Sequence, residues 1–382
     1  MNVVVVGGGI VGLASAYYLA ERGIDVVVCE RGSIGSGSTE RSAGGIRHQF
    51  STRVNVQLSR ESVRVWESFE EQFGVDIEYR RAGYLFLARD DGTAEGFEAN
   101  VAMQRGEGVD ARLLTPTEAK AVCPELHADR FLSATYCPDD GFADPHLALQ
   151  GFSQAAAEGG VDVRTHTGVT AIRRDEGAVV GVETDDGRLD ADFVVNAAGP
   201  WAGHVAEMAG LDLPVAPRRR QVAVVDPEVP VPDEIPLTID LDTGSYFRPE
   251  REGSAIVGGH FAETDPDVDP DDFSGRADMD WMVEAVERAS DCAGYFGPET
   301  RIKRGWAGLY AVTPDHHPIV EETVPGFVNA IGFSGHGFQH APAVGRIVSE
   351  LVCDGAASLV DVSRLRSDRF EEGDLVDEQN VA

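Results

Sequence analysis

The first thirty residues alternate between apolar runs and glycine. Residues 3–6 are consecutive valines that end at Gly7, which indicates a buried strand. Residues 10–22 have helical spacing and stop at Gly23, and residues 25–29 form a second apolar run. A strand, a glycine turn, a helix and a strand in this order predict a βαβ unit with a right-handed crossover, the opening of a doubly wound domain.

The remaining pattern mixes helical and strand-like segments. Residues 32–45 are rich in glycine and serine, which predicts a long loop, and a helix follows over about 52–73. Further helices are predicted over 117–122, 144–158, 278–293 and 339–352. Strands are predicted over 83–88, 161–164, 168–172, 179–184, 193–197, 221–225, 244–249, 254–260 and 327–331. The last dozen residues are acidic, and we expect them to be frayed.

Length and element order together predict two intimately packed domains, because 382 residues exceed the size at which one hydrophobic core stops growing. The predicted fold class is α/β with α+β character. A discontinuous Rossmann-like domain takes residues 1–75, 145–215 and 319–365. A substrate domain on a mixed, mostly antiparallel sheet takes residues 76–144 and 216–318, and residues 366–382 form an acidic tail.

The charge balance excludes some partners. The chain has 65 acidic and 32 basic residues, for a formal net charge of -33, and its only lysines are Lys120 and Lys303. Such a field repels nucleic acid and anionic membrane surfaces, and its self-repulsion weakens the folded state at low salt. An acid-rich, lysine-poor surface is typical of proteins from salt-loving organisms, so a halophilic origin is a hypothesis.

The cysteines indicate neither disulfides nor a metal site. Five are scattered along the chain without a Cys-x-x-Cys pair, which fits a reducing cytoplasm. The adjacent histidines His316 and His317 lack a third ligand at a useful spacing, so we assign them a structural role and predict no metal. Residues 3–20 carry no charge. Because no basic region precedes them and three consecutive glycines interrupt them, they predict neither a signal peptide nor membrane insertion.

The first chemical motif is a G-x-G-x-x-G match between a predicted strand and helix. Gly7 allows the tight turn, Gly9 lets the backbone approach a pyrophosphate, and Gly12 lets the helix pack on the sheet. The helix N-terminus at Ile10 and Val11 faces the phosphates, and Glu30 closes the second strand, where it can bind an adenosine ribose. A glycine turn without a ligand is the alternative, and the motif alone does not separate NAD from FAD.

Three further segments resemble those of the D-amino-acid oxidase and sarcosine oxidase family of flavoproteins, and the resemblance covers residues 2 to about 362. Residues 35–47 (GSGSTERSAGGIR) are similar to the loop that runs along FAD to the flavin. Residues 194–201 (VVNAAGPW) are similar to a strand and turn near the flavin. Residues 332–338 (GFSGHGF) match a strand-to-helix turn whose N–H groups stabilise negative charge on reduced flavin.

The resemblance implies FAD as the cofactor, with residues from all three segments around it. Beyond the first motif, the implied cofactor-binding residues are Arg31, Ser38, Thr39, Ser42, Ala43, Gly44, Gly45, Val169, Ala197, Gly199, Trp201, Gly335, His336, Gly337, Phe338 and Gln339. A flexible surface loop is the alternative for residues 35–47, and plain strand packing is the alternative for residues 194–201.

The resemblance also implies a substrate site. Arg47 matches the family's carboxylate-binding arginine, for which a bidentate clamp is expected, with a surface salt bridge as the alternative. Tyr246, His260 and Tyr310 fall where sarcosine oxidases contact their substrate, although core packing would explain each one singly. The predicted catalytic set also includes His336, in the second glycine turn, and Gln339, at the position of the family's second carboxylate-binding lysine.

Some positions depart from the family pattern. Gly308 stands where sarcosine oxidase has its flavin-tethering cysteine, and Ser42 where dimethylglycine dehydrogenases have a histidine tether, which predicts noncovalent FAD. Ile256 replaces the oxygen-activating lysine, and Gln339 replaces a second carboxylate-binding lysine. Without a cation to stabilise superoxide, a dehydrogenase is favoured over an oxidase.

The resulting hypothesis is an FAD-dependent enzyme that oxidises the C–N bond of sarcosine, dimethylglycine, proline or a D-amino acid. The resemblance implies hydride transfer from the α-carbon to flavin N5 and hydrolysis of the imine, with Arg47 on the carboxylate. Two alternatives stay open: oxidation of a hydroxy acid or polyol phosphate, and a flavin-carrying subunit without a substrate of its own. The electron acceptor and the homo- or hetero-oligomeric state are open too.

Overall fold

The computed structural model describes residues 1–262, 264–373 and 375–381. The helices in these residues are α1 (Ile10–Glu21), α2 (Arg53–Glu67), α3 (Phe69–Phe73), α4 (Asp91–Gly106), α5 (Pro116–Val122), α6 (Pro145–Glu158), α7 (Ala202–Met208), α8 (Met279–Cys292), α9 (Gly337–Asp354) and α10 (Arg369–Glu372). The strands are β1 (Asn2–Val6), β2 (Asp25–Cys29), β3 (Gly45–Ile46), β4 (Tyr84–Ala88), β5 (Arg112–Leu114), β6 (Ser133–Cys137), β7 (Gly141–Phe142), β8 (Asp162–Arg164), β9 (Val169–Asp175), β10 (Ala178–Thr184), β11 (Gly187–Asp190), β12 (Phe193–Asn196), β13 (Ala216–Asp226), β14 (Leu237–Asp240), β15 (Ser245–Pro249), β16 (Ala255–Gly259), β17 (Arg301–Val312), β18 (Ile319–Val324) and β19 (Phe327–Ile331).

The first large sheet has six strands in the order β18-β19-β12-β1-β2-β8. All its neighbours pair in parallel except β18, which pairs antiparallel with β19 at one edge. Strand β1 is therefore central, and its valines are buried on both faces because helices and further strands cover them. The predicted opening βαβ unit is confirmed, with β1 and β2 in parallel register.

Helices α1 and α9 cross closely on one face of this sheet. A Cβ at Gly345 of α9 would lie 2.7 Å from the Ala14 backbone of α1, so only glycine permits the approach. The shared core includes Leu13, Val344 and Val348, all fully buried. This contact brings the N-termini of α1 and α9, which start at the two glycine turns, to the same side of the sheet.

The second large sheet has eight strands in the order β17-β13-β16-β15-β14-β4-β6-β5. Only the β14–β4 pair is parallel. Helix α8 packs on this sheet through a core that includes Phe247, Val257 and Met282. The predicted fold class, a mixed α/β architecture with a mostly antiparallel second sheet, is confirmed.

Local differences from the predicted elements have physical reasons. The helix predicted over 52–73 breaks at Ser68, whose φ of -104° and ψ of 16° end α2 before α3 begins. Helix α4 was not predicted because only Phe97, Val101 and Gln104 on it are buried, which leaves a weak apolar face. Strands β9–β11 form a separate three-stranded antiparallel sheet.

The end of the chain differs most from expectation. Helix α10 is followed by described residues that fold back on the protein, and Glu378 and Asn380 are 1% and 3% exposed. The prediction of a frayed tail is wrong for these residues, because buried polar contacts hold them. Across the described residues, none of the helices combines the length and the apolar character needed to cross a bilayer.

Candidate active site

A cavity of about 800 Å³ lies between the two large sheets. Its wall includes the ends of β1 and β2 and the residues after β12 in the first sheet, and parts of β13, β15, β16 and β17 in the second. Both glycine turns and the loop from Gly35 to Ala43 complete it. A site at the carboxyl ends of parallel strands is the usual ligand position in an open α/β sheet.

The first glycine turn is built for close approach of a ligand. Gly7 has φ of +109°, which disfavours any residue with a side chain, and Gly9 is the N-cap of α1 without a side-chain cap. A Cβ at Gly12 would lie 2.0 Å from the Gly7 carbonyl oxygen. The turn therefore presents backbone and the positive end of α1 to the cavity, an arrangement that suits an anionic phosphate.

Glu30 lies at the end of the cavity beside this turn. Its carboxylate accepts hydrogen bonds from the N–H of Gly8 at 2.8 Å and of Gly32 at 2.7 Å. These bonds fix its position between the turn and the end of β2. Nearby, Arg31 pairs with Asp271 at 2.7 Å and lies 4.9 Å over the Trp201 ring.

The second glycine turn lies between β19 and α9. Gly335 has φ of +94°, and a Cβ there would lie 2.4 Å from the Tyr310 ring. His336 is the N-cap of α9 and makes no side-chain cap, so the N-terminus of this helix is also free of a capping side chain. Gly337 and Phe338 carry the turn along the cavity wall.

Three tyrosines lie at or near the cavity wall, with Tyr84 buried and Tyr246 and Tyr310 half-buried. Tyr246 and Tyr310 form part of its wall, and Tyr84 lies beside Gly45, where a Cβ would be 2.0 Å from its hydroxyl. Burial raises the pKa of all three. Their hydroxyls are therefore neutral at physiological pH and can donate hydrogen bonds to a ligand.

Arg220 is a site residue that no sequence motif singled out. It lies on the cavity wall, 5.4 Å from the Tyr310 ring centre, and makes two 2.7 Å hydrogen bonds to Asp265. His260 Nε2 lies 3.8 Å from the same carboxylate. Burial, and after it the charge of Arg220, lowers the pKa of His260, so this imidazole is neutral.

Arg47 is buried and lies off the cavity wall. Its guanidinium donates to the carbonyl oxygens of Gln49 and Asn380 and contacts His336 Nε2 at 3.2 Å. The Arg47 Cζ atom lies 4.0 Å from the centre of the Phe50 ring. Burial lowers its pKa, although arginine stays charged, and it makes no salt bridge with any residue that the structure describes.

The contact with Arg47 sets the proton position on His336. Burial, and then the Arg47 charge, lowers the pKa of His336 well below its ordinary value, so the ring is neutral. Because arginine only donates, Nε2 must accept and Nδ1 carries the hydrogen. That Nδ1 is buried without a partner among the described residues.

A buried polar network fixes the loop that carries Arg47. Asp140 accepts from the backbone N–H of His48 at 2.7 Å and from Gln49 Nε2 at 3.2 Å, and its carboxylate lies 2.7 Å from His48 Nδ1. The ligand atoms of His48, Asp140 and Cys137 lie within 4.8 Å of one another. Burial raises the pKa of the Cys137 thiol, so this group stays protonated, and we assign the network a structural role.

Most predicted cofactor residues lie on the cavity wall. They are Gly7, Gly9, Ile10, Val11, Glu30, Arg31, Ser38, Thr39, Ser42, Ala43, Val169, Ala197, Gly199, Trp201, Gly335, Gly337 and Phe338. The predicted residues that lie off the wall are Gly12, Gly44, Gly45, Arg47, His260, His336 and Gln339. Gln339 accepts from the Arg47 backbone N–H at 2.9 Å, so it supports the loop that carries Arg47.

Comparison with known proteins gives consistent matches. A family model described as FAD dependent oxidoreductase matches residues 2–351. A Xenopus laevis protein named FAD-dependent oxidoreductase domain-containing protein 1 is 33% identical over 100% of this chain and 84% of its own length. Sarcosine oxidase subunit beta of Rhizobium meliloti is 31% identical over 99% of this chain and 90% of its own length. The solved L-proline dehydrogenase from P. horikoshii superposes with a TM-score of 0.89 at 34% identity, over 98% of this chain and 99% of that one.

Proposed function

The chain belongs to the family of FAD-dependent oxidoreductases, and from this premise we propose that it oxidises the C–N bond of a small amino acid or N-alkyl amino acid. The substrate class comprises sarcosine, dimethylglycine, proline and D-amino acids. The electrons then pass to an acceptor other than oxygen. Two of the similar proteins carry names of enzymes that act on sarcosine or L-proline, which supports this class.

The residues present fit FAD. The cradle has no room for side chains at Gly7 and Gly12, and Glu30 is held where it can accept from a ribose hydroxyl. The second glycine turn brings the N-terminus of α9 to the other end of the cavity. Bound FAD supplies the acceptor for the hydride that leaves the substrate. Gly308 and Ser42 on the wall offer no ring nitrogen or thiol, which supports noncovalent binding.

The observation that carries the proposal is the buried, unpaired charge of Arg47 beside the tyrosines. A buried cation normally has an anionic partner. Arg47 makes no direct ion pair with any described residue, and the charges of Glu378 and Asp140 act on it only from beyond salt-bridge distance. The charges of Arg220 and Arg47 both act to lower the pKa of Tyr310, against the larger effect of burial. Because Asp265 already occupies the fork of Arg220, we assign the substrate carboxylate to Arg47.

The other side chains would orient the amine. Neutral Tyr246 and Tyr310 can donate or accept hydrogen bonds near the reacting carbon, and neutral His260 lies behind Asp265. No general base is needed if the amine binds unprotonated. The cavity wall contains no lysine, and the Ile256 side chain is buried in β16, which supports a dehydrogenase.

Anaerobic titration of the yellow holoenzyme tests the proposal. We expect at least one of sarcosine, dimethylglycine, proline or a D-amino acid to bleach the flavin absorbance, and the matching hydroxy acid to leave it unchanged. Bleaching by the hydroxy acid or a polyol phosphate alone would replace the proposal with the alcohol-oxidising alternative. Bleaching by no compound until a partner protein is added would favour a subunit role.

A further inference from the structure

The C-terminal segment, residues 378–381, lies against the loop that carries Arg47. Glu378 and Asn380 are almost fully buried, although the residues just before them are exposed. The Glu378 backbone N–H donates to the Asp315 carbonyl at 3.1 Å, and the Gln379 N–H donates to Ser51 Oγ at 2.7 Å. The segment is therefore held at several points along its length.

Glu378 is the main anchor. Its Oε1 accepts from the N–H of Ser51 at 2.6 Å, from Ser51 Oγ at 2.7 Å and from its neighbour Asn380 N–H at 3.2 Å. Its Oε2 accepts from Thr52 N–H at 3.1 Å, Thr52 Oγ1 at 2.7 Å and Asn55 Nδ2 at 3.0 Å. All the donors except Asn380 lie at the start of α2, whose positive end favours a carboxylate.

Asn380 connects this anchor to Arg47. Its backbone carbonyl accepts from Arg47 Nη2, and its Nδ2 donates to the Gln49 carbonyl at 3.2 Å. The Gln49 carbonyl also accepts from Arg47 Nη1. The guanidinium is thus held by two neutral carbonyls, one from its own loop and one from the C-terminal segment.

This arrangement leaves Arg47 available to an anion. Arginine has five N–H donors, and Gln49, Asn380 and His336 take three of them. The Glu378 carboxylate is saturated by other donors and makes no salt bridge with Arg47. The charges of Glu378 and Asp140 therefore act on the guanidinium without a direct ion pair, so its remaining N–H donors can serve a substrate carboxylate.

We infer that the C-terminal segment is part of the substrate site and that Glu378 and Asn380 are positioning residues for Arg47. The inference rests on the proposed role of Arg47 as the carboxylate anchor. It assigns to this segment the selectivity for substrates that carry a carboxylate. Release of the segment would free the guanidinium to rotate and would weaken carboxylate binding.

The sharpest variant is Glu378→Gln in the full-length holoenzyme. Glutamine has nearly the same size as glutamate, but its NH₂ group would replace one of the two oxygens that now accept hydrogen bonds. That NH₂ would face N–H and O–H donors, so the anchor is weakened. Asp377→Asn is the matched control, because Asp377 is exposed and adjacent and its change removes the same charge. Glu378→Asp tests rescue by a carboxylate, and Ser51→Ala is a milder variant that removes the hydroxyl bonded to both Glu378 and the Gln379 N–H. Flavin content and thermal unfolding establish that each variant is folded.

The probes are cyclopentanecarboxylate and cyclopentanecarboxamide, which lack the reacting amine and bind without turnover. We expect Glu378→Gln to raise the Kd of the carboxylate about tenfold, measured from the flavin spectrum or by calorimetry, and to leave the Kd of the carboxamide unchanged. Glu378→Asp should recover part of the loss, Ser51→Ala should raise the carboxylate Kd about two- to threefold, and Asp377→Asn should change neither Kd.

Several results would overturn the inference. They are equal weakening of both probes, tighter carboxylate binding in Glu378→Gln, and a wild-type protein that does not distinguish the two probes. Tighter binding would mean that the segment competes with the substrate. If the probes behave as expected and no amine bleaches the flavin, the proposed function fails while the positioning role stands.

Discussion

Single residues at the tyrosine end of the cavity decide what the site can bind. The charges of Arg47 and Arg220 both act to lower the pKa of Tyr310, but the two arginines differ in their hydrogen-bond partners. Arg220 is paired with Asp265, whereas Arg47 is held only by neutral groups among the described residues. Charge balance therefore favours Arg47 as the group that receives a substrate anion.

Arg47→Lys tests this assignment. Lysine keeps the charge and loses the planar fork, so we expect KM for the amino acid substrate to rise by one to two orders of magnitude, with kcat changed about threefold or less. Steady-state kinetics with an artificial electron acceptor measures both. Arg64→Lys, at an exposed position on α2, is the control. A larger KM increase in Arg220→Lys than in Arg47→Lys would transfer the anchor role to Arg220.

Buried histidines near Arg47 make stability depend on pH. His340 is fully buried with Nε2 3.0 Å from Ser59 Oγ, and burial, followed by the Arg47 charge, lowers its pKa to about 3. The unfolded chain takes up the proton near pH 6.5, whereas the folded protein does not. The contribution of neutral His340 to the free energy of unfolding is therefore fully present above pH 6.5 and is lost as the pH falls from 6.5 toward 3.

We expect the free energy of unfolding to fall by about 1.4 kcal/mol per pH unit below pH 6 for His340 alone. Denaturant unfolding of the holoenzyme at pH 6.0, 5.5 and 5.0, at constant salt, gives the slope. His340→Gln should reduce that slope, since glutamine does not titrate. A variant with the same slope as the wild type would show that other groups cause the acid sensitivity.

At the scale of elements, the acidic loop 264–278 before α8 contributes Pro270 and Asp271 to the cavity wall. Asp265 pairs with Arg220 and Asp267 with Arg218, both on β13. Asp271 pairs with Arg31 after β2 and accepts from Trp201 Nε1 at 2.8 Å. The loop therefore connects the second sheet to the first across the cofactor cavity.

Asp271→Asn should loosen this connection. We expect FAD to dissociate about threefold to tenfold faster, because the change removes the ion pair with Arg31 and weakens the contact with Trp201. Release of flavin fluorescence after dilution measures the rate. Asp272→Asn is the matched control, since that residue is adjacent and exposed and loses the same charge. Equal rates in the two variants would mean that the loop does not retain the cofactor.

For the whole molecule, the net charge of -33 dominates. Many arginines are already paired with acidic side chains, so the excess negative charge is unpaired on the surface. Its repulsion acts over about 10 Å at 0.1 M salt and much less at molar salt. The halophilic hypothesis follows from this physics.

Salt should therefore stabilise the holoenzyme. We expect Tm to rise by about 5–15 °C between 0.1 M and 2 M KCl, as repulsion is screened. Differential scanning calorimetry at both concentrations measures it, with an uncharged osmolyte of equal osmolality as the control. If Tm were the same in both salt concentrations, repulsion would not limit stability and the halophilic hypothesis would fall.

The sequence determined the local parts of this protein because their signals are local. Valines 3–6, the glycines at 7, 9 and 12 and residues 332–338 predicted a strand, a cradle and a turn whose geometry depends on neighbouring residues. Only the tertiary structure decided which distant groups meet. Arg220 faces Tyr310 because β13 pairs with β17, and Glu378 reaches Ser51 across 327 positions of the chain. Such contacts depend on how sheets and helices pack, and no spacing along the chain records them.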